Sequence, residues 1–117
     1  MKQSLLQNDQ LLETIQRVIK IVIECFSKGN RVWFCGNGGS AADAQHMAAE
    51  FIGRYLLERK SLPAIALTTD TSIITALGND YGFENTFSRQ CESMVSKGDV
   101  IIAISTSGNS KNVLNGI

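Results

Sequence analysis

Apolar residues recur at helical spacing along the first quarter of the chain and predict a helix from Leu5 to about Phe26. They are Leu5, Leu11, Leu12, Ile15, Val18, Ile19, Ile21, Val22, Ile23 and Phe26. Together they cover more than one stripe of the helix, which is a wider surface than one sheet face can bury. The helix is therefore either buried on all sides within its own domain or shared with another subunit, and we favour the shared arrangement.

Farther along the chain, short apolar runs alternate with segments of helical periodicity. The runs predict strands at 31–35, 64–68 and 100–104, and the other segments predict helices at about 41–57, 72–77 and 83–96 and from 111 to the last residue. The stretch 78–82 is expected to break the second of these helices, and Val100–Ile104, apolar throughout, is typical of a strand buried on both faces. Strands that alternate with helices predict right-handed crossovers, and hence an α/β fold with a parallel sheet between two helical layers.

Composition limits the partners that this fold can have. The 117 residues are 44% hydrophobic, which suits one modest core and predicts one domain over 1–117. Eleven basic residues balance eleven acidic ones, so we expect no surface for nucleic acid. The apolar stretches are far shorter than the ~20 residues that cross a bilayer, and the first residues do not resemble a signal peptide. Three cysteines without metal-type spacing favour buried, reduced thiols, so a cytoplasmic protein without a membrane partner is expected.

Small and polar residues are concentrated where the first and third predicted strands end. GNGGS follows the first strand at Gly36–Ser40, and STSGNS follows the third at Ser105–Ser110. Ligands of open parallel sheets bind at the carboxyl ends of the strands. The first loop lets backbone N–H groups approach an anion, and the second adds four hydroxyl donors. Both loops are therefore candidates for a phosphate site, although either alone could be a turn followed by a helix N-cap.

Two nucleotide-binding motifs compete for the first loop. The Walker A pattern occurs nowhere in the chain. The dinucleotide fingerprint G-x-G-x-x-G/A matches Gly36, Gly38 and Ala41, and Asp70 follows the second strand, where a ribose-binding acid would be sought. The spacing to Asp70 is longer than that fingerprint expects, and the fingerprint does not ask for the STSGNS loop. Nicotinamide binding therefore stays a minor alternative.

His46 and Glu50 stand four residues apart on the helix after GNGGS, and therefore on the same helix face. An imidazole and a carboxylate so placed can bind one divalent metal or act as an acid and base pair. The alternative is a solvated pair on an outer helix face, which on spacing alone is the commoner case. The pair does contain the chain's single histidine and lies within about three turns of the phosphate-type loop.

Four segments resemble those of bacterial phosphoheptose isomerases, which belong to the SIS (sugar isomerase) domain proteins. They are CGNGGSAADAQHMAAEFIGRY, LTTD, ALGNDYGFENTFSRQ and GDVIIAISTSGNSKNV. The resemblance implies a three-layer αβα fold of the flavodoxin or Rossmann-like kind behind a long N-terminal helix. It also implies interconversion of sedoheptulose 7-phosphate and D-glycero-D-manno-heptose 7-phosphate for lipopolysaccharide or surface-glycan heptose. The family's zinc ion and homotetramer, with sites between subunits, are implied as well.

The resemblance assigns roles to particular positions. Asn37, Gly38 and Gly39 match the family's substrate-binding loop, Asn79 and Asp80 match its GND motif, and Ser105, Thr106, Ser107 and Ser110 match its phosphate-binding loop. His46 and Glu50 match two zinc ligands, and Glu50 also matches the substrate-binding base that moves a proton between the first two sugar carbons.

Two further expectations come from the resemblance. The family continues into strands and a helix bearing a Gln and a second His that complete the metal site, so a domain that stops at Ile117 is expected to be incomplete and inactive alone. The alternative function is a non-catalytic SIS module that binds a phosphosugar or a protein partner. A bacterial paralogue of that kind typically lacks a carboxylate at the position of Glu50, so Glu50 favours the enzyme.

Overall fold

The computed structural model describes residues 8–117 and opens with helix α1, Asp9–Ser27. The side chain of Asn8 caps the helix by accepting a hydrogen bond from the Leu11 N–H at 3.0 Å. The predicted start at Leu5 lies outside the described residues. The helix ends before Gly29, whose φ of 77° turns the chain toward the first strand.

A three-stranded parallel sheet follows, in the spatial order β2-β1-β3. Its strands are β1 (Val32–Gly36), β2 (Ala64–Ala66) and β3 (Val100–Ile104). The remaining helices are α2 (Gly39–Ile52), α3 (Thr71–Tyr81), α4 (Ser88–Met94) and α5 (Lys111–Leu114), with a 3₁₀ turn at Phe83–Asn85. The predicted α/β architecture is confirmed.

Alternate residues of β1 build two cores, one on each face of the sheet. Phe34 packs against α1 and α2 on one face, with its ring centroid 5.9 Å from that of Phe51. Trp33 and Cys35 belong to the other core, which also contains Phe87 and Val113 from the second helical layer. Cys25 and Cys35 are buried free thiols and Cys91 is half-buried; burial raises the pKa of Cys35 to about 11.

Burial along β3 and α1 differs from the expectation. All five residues of β3 are half-buried, because within residues 8–117 this strand pairs with β1 alone, whereas β1 lies between two strands and is buried at every position. The alternative of a fully buried first helix is also wrong for the described chain. Ile15, Ile19 and Ile23 recur every four residues on one stripe and are 46%, 51% and 59% exposed.

Several helix boundaries also differ from their predicted positions, and α5 ends at Leu114 instead of continuing to the last residue. Helix α2 ends at Ile52 instead of near Leu57, and α3 continues through Gly78 to Tyr81 before Gly82, at φ 85°, ends it. The predicted helix at 83–96 is divided into the 3₁₀ turn and α4. The Thr86 hydroxyl donates to the Phe83 carbonyl at 2.9 Å there, which supplies a local alternative to helical hydrogen bonding.

The starts of β1 and β3 are joined by the Asp99 carboxylate. It accepts hydrogen bonds from the Arg31 N–H at 2.9 Å, the Ser96 N–H at 3.0 Å, the Trp33 indole at 2.8 Å and the Asn30 amide at 3.3 Å. Burial alone would raise the pKa of Asp99, but these donors outweigh it and lower the pKa to about 2. Among the described helices, none is both long and apolar enough to cross a membrane.

Candidate functional site

Strand register brings the two polar loops side by side. Gly36, the last residue of β1, pairs with Ile104, the last residue of β3, so residues 37–39 and 105–110 start from neighbouring strand ends. A Cβ atom on Gly36 would lie 2.8 Å from the Ser40 carbonyl oxygen and 2.9 Å from that of Ile104. Glycine is therefore required for α2 to begin this close to the sheet.

The first loop leads directly into α2. Gly38, at φ 56°, is the N-cap residue of this helix, and it has no side chain with which to cap the first turn. The Ser40 and Ala41 N–H groups bond back to the Asn37 and Gly38 carbonyls at 3.0 Å each. The loop thus presents main chain without Cβ obstruction at a helix N-terminus, an arrangement suited to an anion.

Serine hydroxyls converge in the second loop. The Oγ of Ser105 lies 3.3 Å from that of Ser110 and 3.5 Å from that of Ser107. The Gly108 N–H donates to Ser105 Oγ and the Asn109 N–H donates to Ser107 Oγ, both at 3.1 Å. Because each hydroxyl rotates to suit its partner, hydroxyls that already accept from the backbone can donate their own protons to an oxyanion. The fourth candidate hydroxyl belongs to Thr106, which is exposed between them.

One pair of amide side chains joins the two loops. Asn37 and Asn112 exchange two hydrogen bonds of 2.8 Å each. Asn112 lies in α5, immediately after the second loop, and is 3% exposed. Asn112 could not be predicted as this partner, because the residues are 75 positions apart and a single Asn carries no pairing information.

His46 and Glu50 lie together on α2, as their spacing predicts. Their Nε2 and Oε1 atoms are 3.7 Å apart, and the side chains are 75% and 35% exposed. Two ligands of one tetrahedral zinc ion, each about 2.1 Å from the metal, are separated by about 3.4 Å, so the pair matches that spacing closely. No group of three or more potential ligands from His, Cys, Asp and Glu is found among residues 8–117.

Arg59 fixes the end of α2 that carries Glu50. Its Nη2 donates to the Glu50 carbonyl at 2.8 Å and its Nη1 donates to the Phe51 carbonyl at 2.9 Å. These bonds satisfy terminal carbonyls and place a positive charge at the negative end of the helix dipole. A cavity of about 350 Å³ adjoins the pair, lined by His46, Met47, Glu50, Phe51, Tyr55 and Arg59. The sequence analysis missed Arg59, because it extended the helix toward this residue.

The remaining candidates lie apart from these groups. Asn79 and Asp80 occupy the last turn of α3, where the Asn79 amide donates to the Asp80 carboxylate at 2.7 Å, and both side chains are exposed. Asp70 caps α3 by accepting from the Ile73 N–H at 2.9 Å. Its carboxylate is committed to that helix start, which weakens the dinucleotide alternative.

A smaller cavity of about 160 Å³ lies where β1 and β2 end. Gly36, Asn37 and Gly38 line it together with Thr68 and Ile74. The Thr68 hydroxyl is buried without a hydrogen-bond partner among the described residues. Thr68 lies in the LTTD segment of the family resemblance, which had assigned this residue no role.

The chain is similar to several phosphoheptose isomerases. The chain is 57% identical over 109 residues to the phosphoheptose isomerase of Aliarcobacter butzleri, covering 93% of the chain and 58% of that relative. The phosphoheptose isomerase structure from Neisseria gonorrhoeae superposes with a TM-score of 0.87 at 46% identity, over 98% of this chain and 58% of that one. The structure from Francisella tularensis gives 0.77 at 35% identity, over 97% and 67%. The model of the SIS domain family matches residues 1–117, and the chain therefore belongs to that family.

Proposed function

We propose that this chain carries the substrate loops and the catalytic base of a phosphoheptose isomerase. Sedoheptulose 7-phosphate and D-glycero-D-manno-heptose 7-phosphate are its substrates, and 1–117 belongs to one SIS domain. The supporting observation is the pairing of Gly36 with Ile104, which starts the two polar loops from adjacent strand ends on the sheet that also bears α2. The similarity to phosphoheptose isomerases, which the chain matches over about 58% of their length, supports the same reaction.

The phosphate group is held at Ser105–Ser110. Hydroxyls within 3.5 Å of one another suit several oxygens on one anion, and the neighbouring Asn37–Gly39 loop offers main-chain groups without side-chain obstruction. Residues 105–110 include no Lys or Arg, so this loop binds the phosphate through hydrogen bonds. Binding energy from this remote phosphate orients the reacting carbons.

Glu50 acts as the base of the isomerisation. Its carboxylate removes the proton from the carbon beside the carbonyl, which leaves an enediolate, and returns the proton to the adjacent carbon. The carbonyl thereby moves by one carbon and the sugar changes between ketose and aldose without any net redox reagent. The side chain is about one-third exposed and adjoins the 350 Å³ cavity, so substrate carbons can reach it. Asn79 and Asp80 are proposed to bind substrate on the strength of the family motif alone.

Zinc is the proposed cofactor, held in part by His46 and Glu50. The separation of 3.7 Å and the nitrogen and oxygen donors fit two positions of a zinc site. A bound zinc ion would polarise the sugar oxygens at the reacting carbons. A catalytic site usually takes three protein ligands, so at least one further ligand is needed in addition to this pair.

The proposed assembly is a homotetramer in which α1 meets another subunit. The stripe of Ile15, Ile19 and Ile23 supports it, because half-exposed isoleucines at every fourth residue form a continuous apolar surface. We place the enzyme in the cytoplasm, where its product enters lipopolysaccharide or surface-glycan heptose synthesis. Neither nucleic acid nor membrane is a proposed partner.

The test is a coupled assay for consumption of sedoheptulose 7-phosphate by the full-length protein and its Glu50→Gln variant. The amide keeps the size of the side chain but accepts no proton, so turnover should be abolished while sugar-phosphate binding stays within a few-fold. Glu92→Gln, which changes an exposed carboxylate on α4, should retain full turnover. Turnover by Glu50→Gln would remove Glu50 from its role. Binding without turnover by the unaltered protein would favour the non-catalytic module instead.

A further inference from the structure

The amide pair of Asn37 and Asn112 joins the first polar loop to the helix that follows the second. Asn37 directly follows Gly36 of β1, and Asn112 lies in the helix that follows Ser110. Each side chain donates through Nδ2 and accepts through Oδ1 at 2.8 Å, so each polar atom of one amide has a complementary partner on the other. Nothing else among the described side-chain hydrogen bonds connects the first loop to the second loop or α5.

Burial around Asn112 raises the free-energy cost of breaking this pair of hydrogen bonds. The side chain is almost completely buried, and its Nδ2 also lies 3.5 Å from the hydroxyl of Thr86, which is itself 1% exposed. A buried amide that loses its partner keeps the full cost of desolvation, whereas the paired state satisfies both of its polar ends. The separation between the first loop and the start of α5 is therefore held by a hydrogen-bonded contact that is buried on its Asn112 side.

The pairing also decides which part of Asn37 is available to a ligand. Each polar atom of its side chain already makes one hydrogen bond to Asn112, whereas Gly38 and Gly39 have open space beside them and present main chain that a ligand can contact. The loop sequence had pointed to Asn37 without separating its side chain from its backbone. The geometry assigns the side chain to positioning.

We propose that Asn112 is a positioning residue for phosphosugar binding, acting through Asn37 to fix the first loop relative to the hydroxyls of Ser105–Ser110. This rests on the proposed function, because only a ligand that bridges the two loops would sense their separation. A phosphorylated sugar is such a ligand. Inorganic phosphate, which fits the hydroxyl loop alone, is not.

Isothermal calorimetry on the full-length protein tests this with two probes, sedoheptulose 7-phosphate and inorganic phosphate. Asn112→Ala should weaken sugar-phosphate binding about tenfold, because the released first loop must then be ordered when the ligand binds, and should change phosphate binding by no more than about twofold. Asn37→Ala should reproduce both numbers, and the double variant should be no worse than either single one, because the same pair is lost each time. The kinetic counterpart is a raised KM with kcat little changed.

Asn115→Ala is the matched control. Asn115 is an asparagine three residues further on, and its amide donates to the Glu84 carbonyl at 3.0 Å, away from both loops. Its loss should leave both affinities unchanged. If Asn112→Ala does not fold, Asn37→Ala breaks the pair from its half-exposed side and gives the same comparison.

Three results would overturn the proposal. An equal loss of affinity for both probes would mean that the pair supports the hydroxyl loop itself. Unchanged sugar-phosphate affinity with a lowered melting temperature would mean that the Asn37–Asn112 pair is a purely structural contact. Additive losses in the double variant would mean that the Asn37 side chain contacts the ligand. Absence of sugar-phosphate binding by the unaltered protein would refute both the proposed function and the role of Asn112. Sugar-phosphate affinity that is the same in the unaltered protein and in the Asn37 and Asn112 variants would refute only the role of Asn112.

Discussion

Asp99→Asn should destabilise the fold in a pH-dependent way without altering the polar loops. The carboxylate accepts hydrogen bonds from two backbone N–H groups, the Trp33 indole and the Asn30 amide. An asparagine has one acceptor oxygen in place of two, and its NH₂ group would face donors on the other side. At least one buried donor then loses its partner, with Trp33, 4% exposed, the most enclosed of them.

The magnitude follows from the pKa. Lowering the pKa of Asp99 from 3.8 to about 2 is worth about 2 kcal/mol, at ~1.4 kcal/mol per unit. Because the folded-state pKa is the lower one, this stability is fully present above about pH 4 and is lost as the pH falls through about 2. The wild-type protein should therefore exceed Asp99→Asn by about 2 kcal/mol at pH 7, and the difference should shrink steadily below pH 4.

Urea denaturation followed by fluorescence measures this difference, since Trp33 is the only tryptophan and bonds to Asp99 directly. Asp43→Asn, which changes an exposed aspartate on α2, is the control and should follow the wild type at every pH. A difference between wild type and Asp99→Asn that stays constant from pH 7 to pH 2.5 would refute the linkage. A difference below about 0.5 kcal/mol at pH 7 would refute the energetic role of the network.

Three further predictions concern the site and the assembly. Ser107→Ala and Ser110→Ala should each weaken phosphosugar binding by about 1.5 to 3 kcal/mol, measured by calorimetry; unchanged affinity in the double variant would refute the phosphate loop. Arg59→Ala should lower turnover more than phosphate affinity, because it removes the two hydrogen bonds that hold the turn carrying Glu50. Arg59→Lys should restore only part of the turnover, since an ammonium group lacks the paired donors of a guanidinium. Ile19→Lys should shift light scattering toward smaller species while circular dichroism stays native; an unaltered mass would exclude α1 from the interface.

Local sequence was enough to locate the strands and the polar loops. Strand β1 needs only the β-branched and aromatic run before Gly36, and the loops are marked by small residues that no helix or strand would favour. The parallel topology followed from the alternation of elements. Family resemblance, in contrast, was needed to select His46 and Glu50, because their spacing alone suits any exposed helix face.

Features that depend on distant partners could not be predicted. The stretch after Ile52 keeps apolar residues at Tyr55, Leu56 and Leu57 that extend the helical pattern. Gly53 is the C-cap residue of α2, and Arg59 and the Leu62 N–H bond to the last carbonyls of the helix. The all-apolar composition of β3 likewise indicates burial but not position in the sheet. The position of β3 at the edge of the sheet formed by residues 8–117 is a property of topology, which periodicity along one strand does not encode.

The Asp99 network that stabilises the fold and the polar loops proposed to bind ligand lie at opposite ends of the sheet. At the start of the strands, Asp99 gathers its donors into a satisfied network that joins β1 to β3. The register then runs through five paired residues, from Val32 opposite Val100 to Gly36 opposite Ile104, and so determines where each loop begins. At the far end, glycine backbone and serine hydroxyls retain capacity for a ligand, and the Asn37–Asn112 pair sets the spacing between them. Pre-organised anion binding requires strands in a fixed register and hydrogen-bond donors left free at one end of the sheet. The entropy of ordering the loops is then lost when the protein folds and not when the ligand binds.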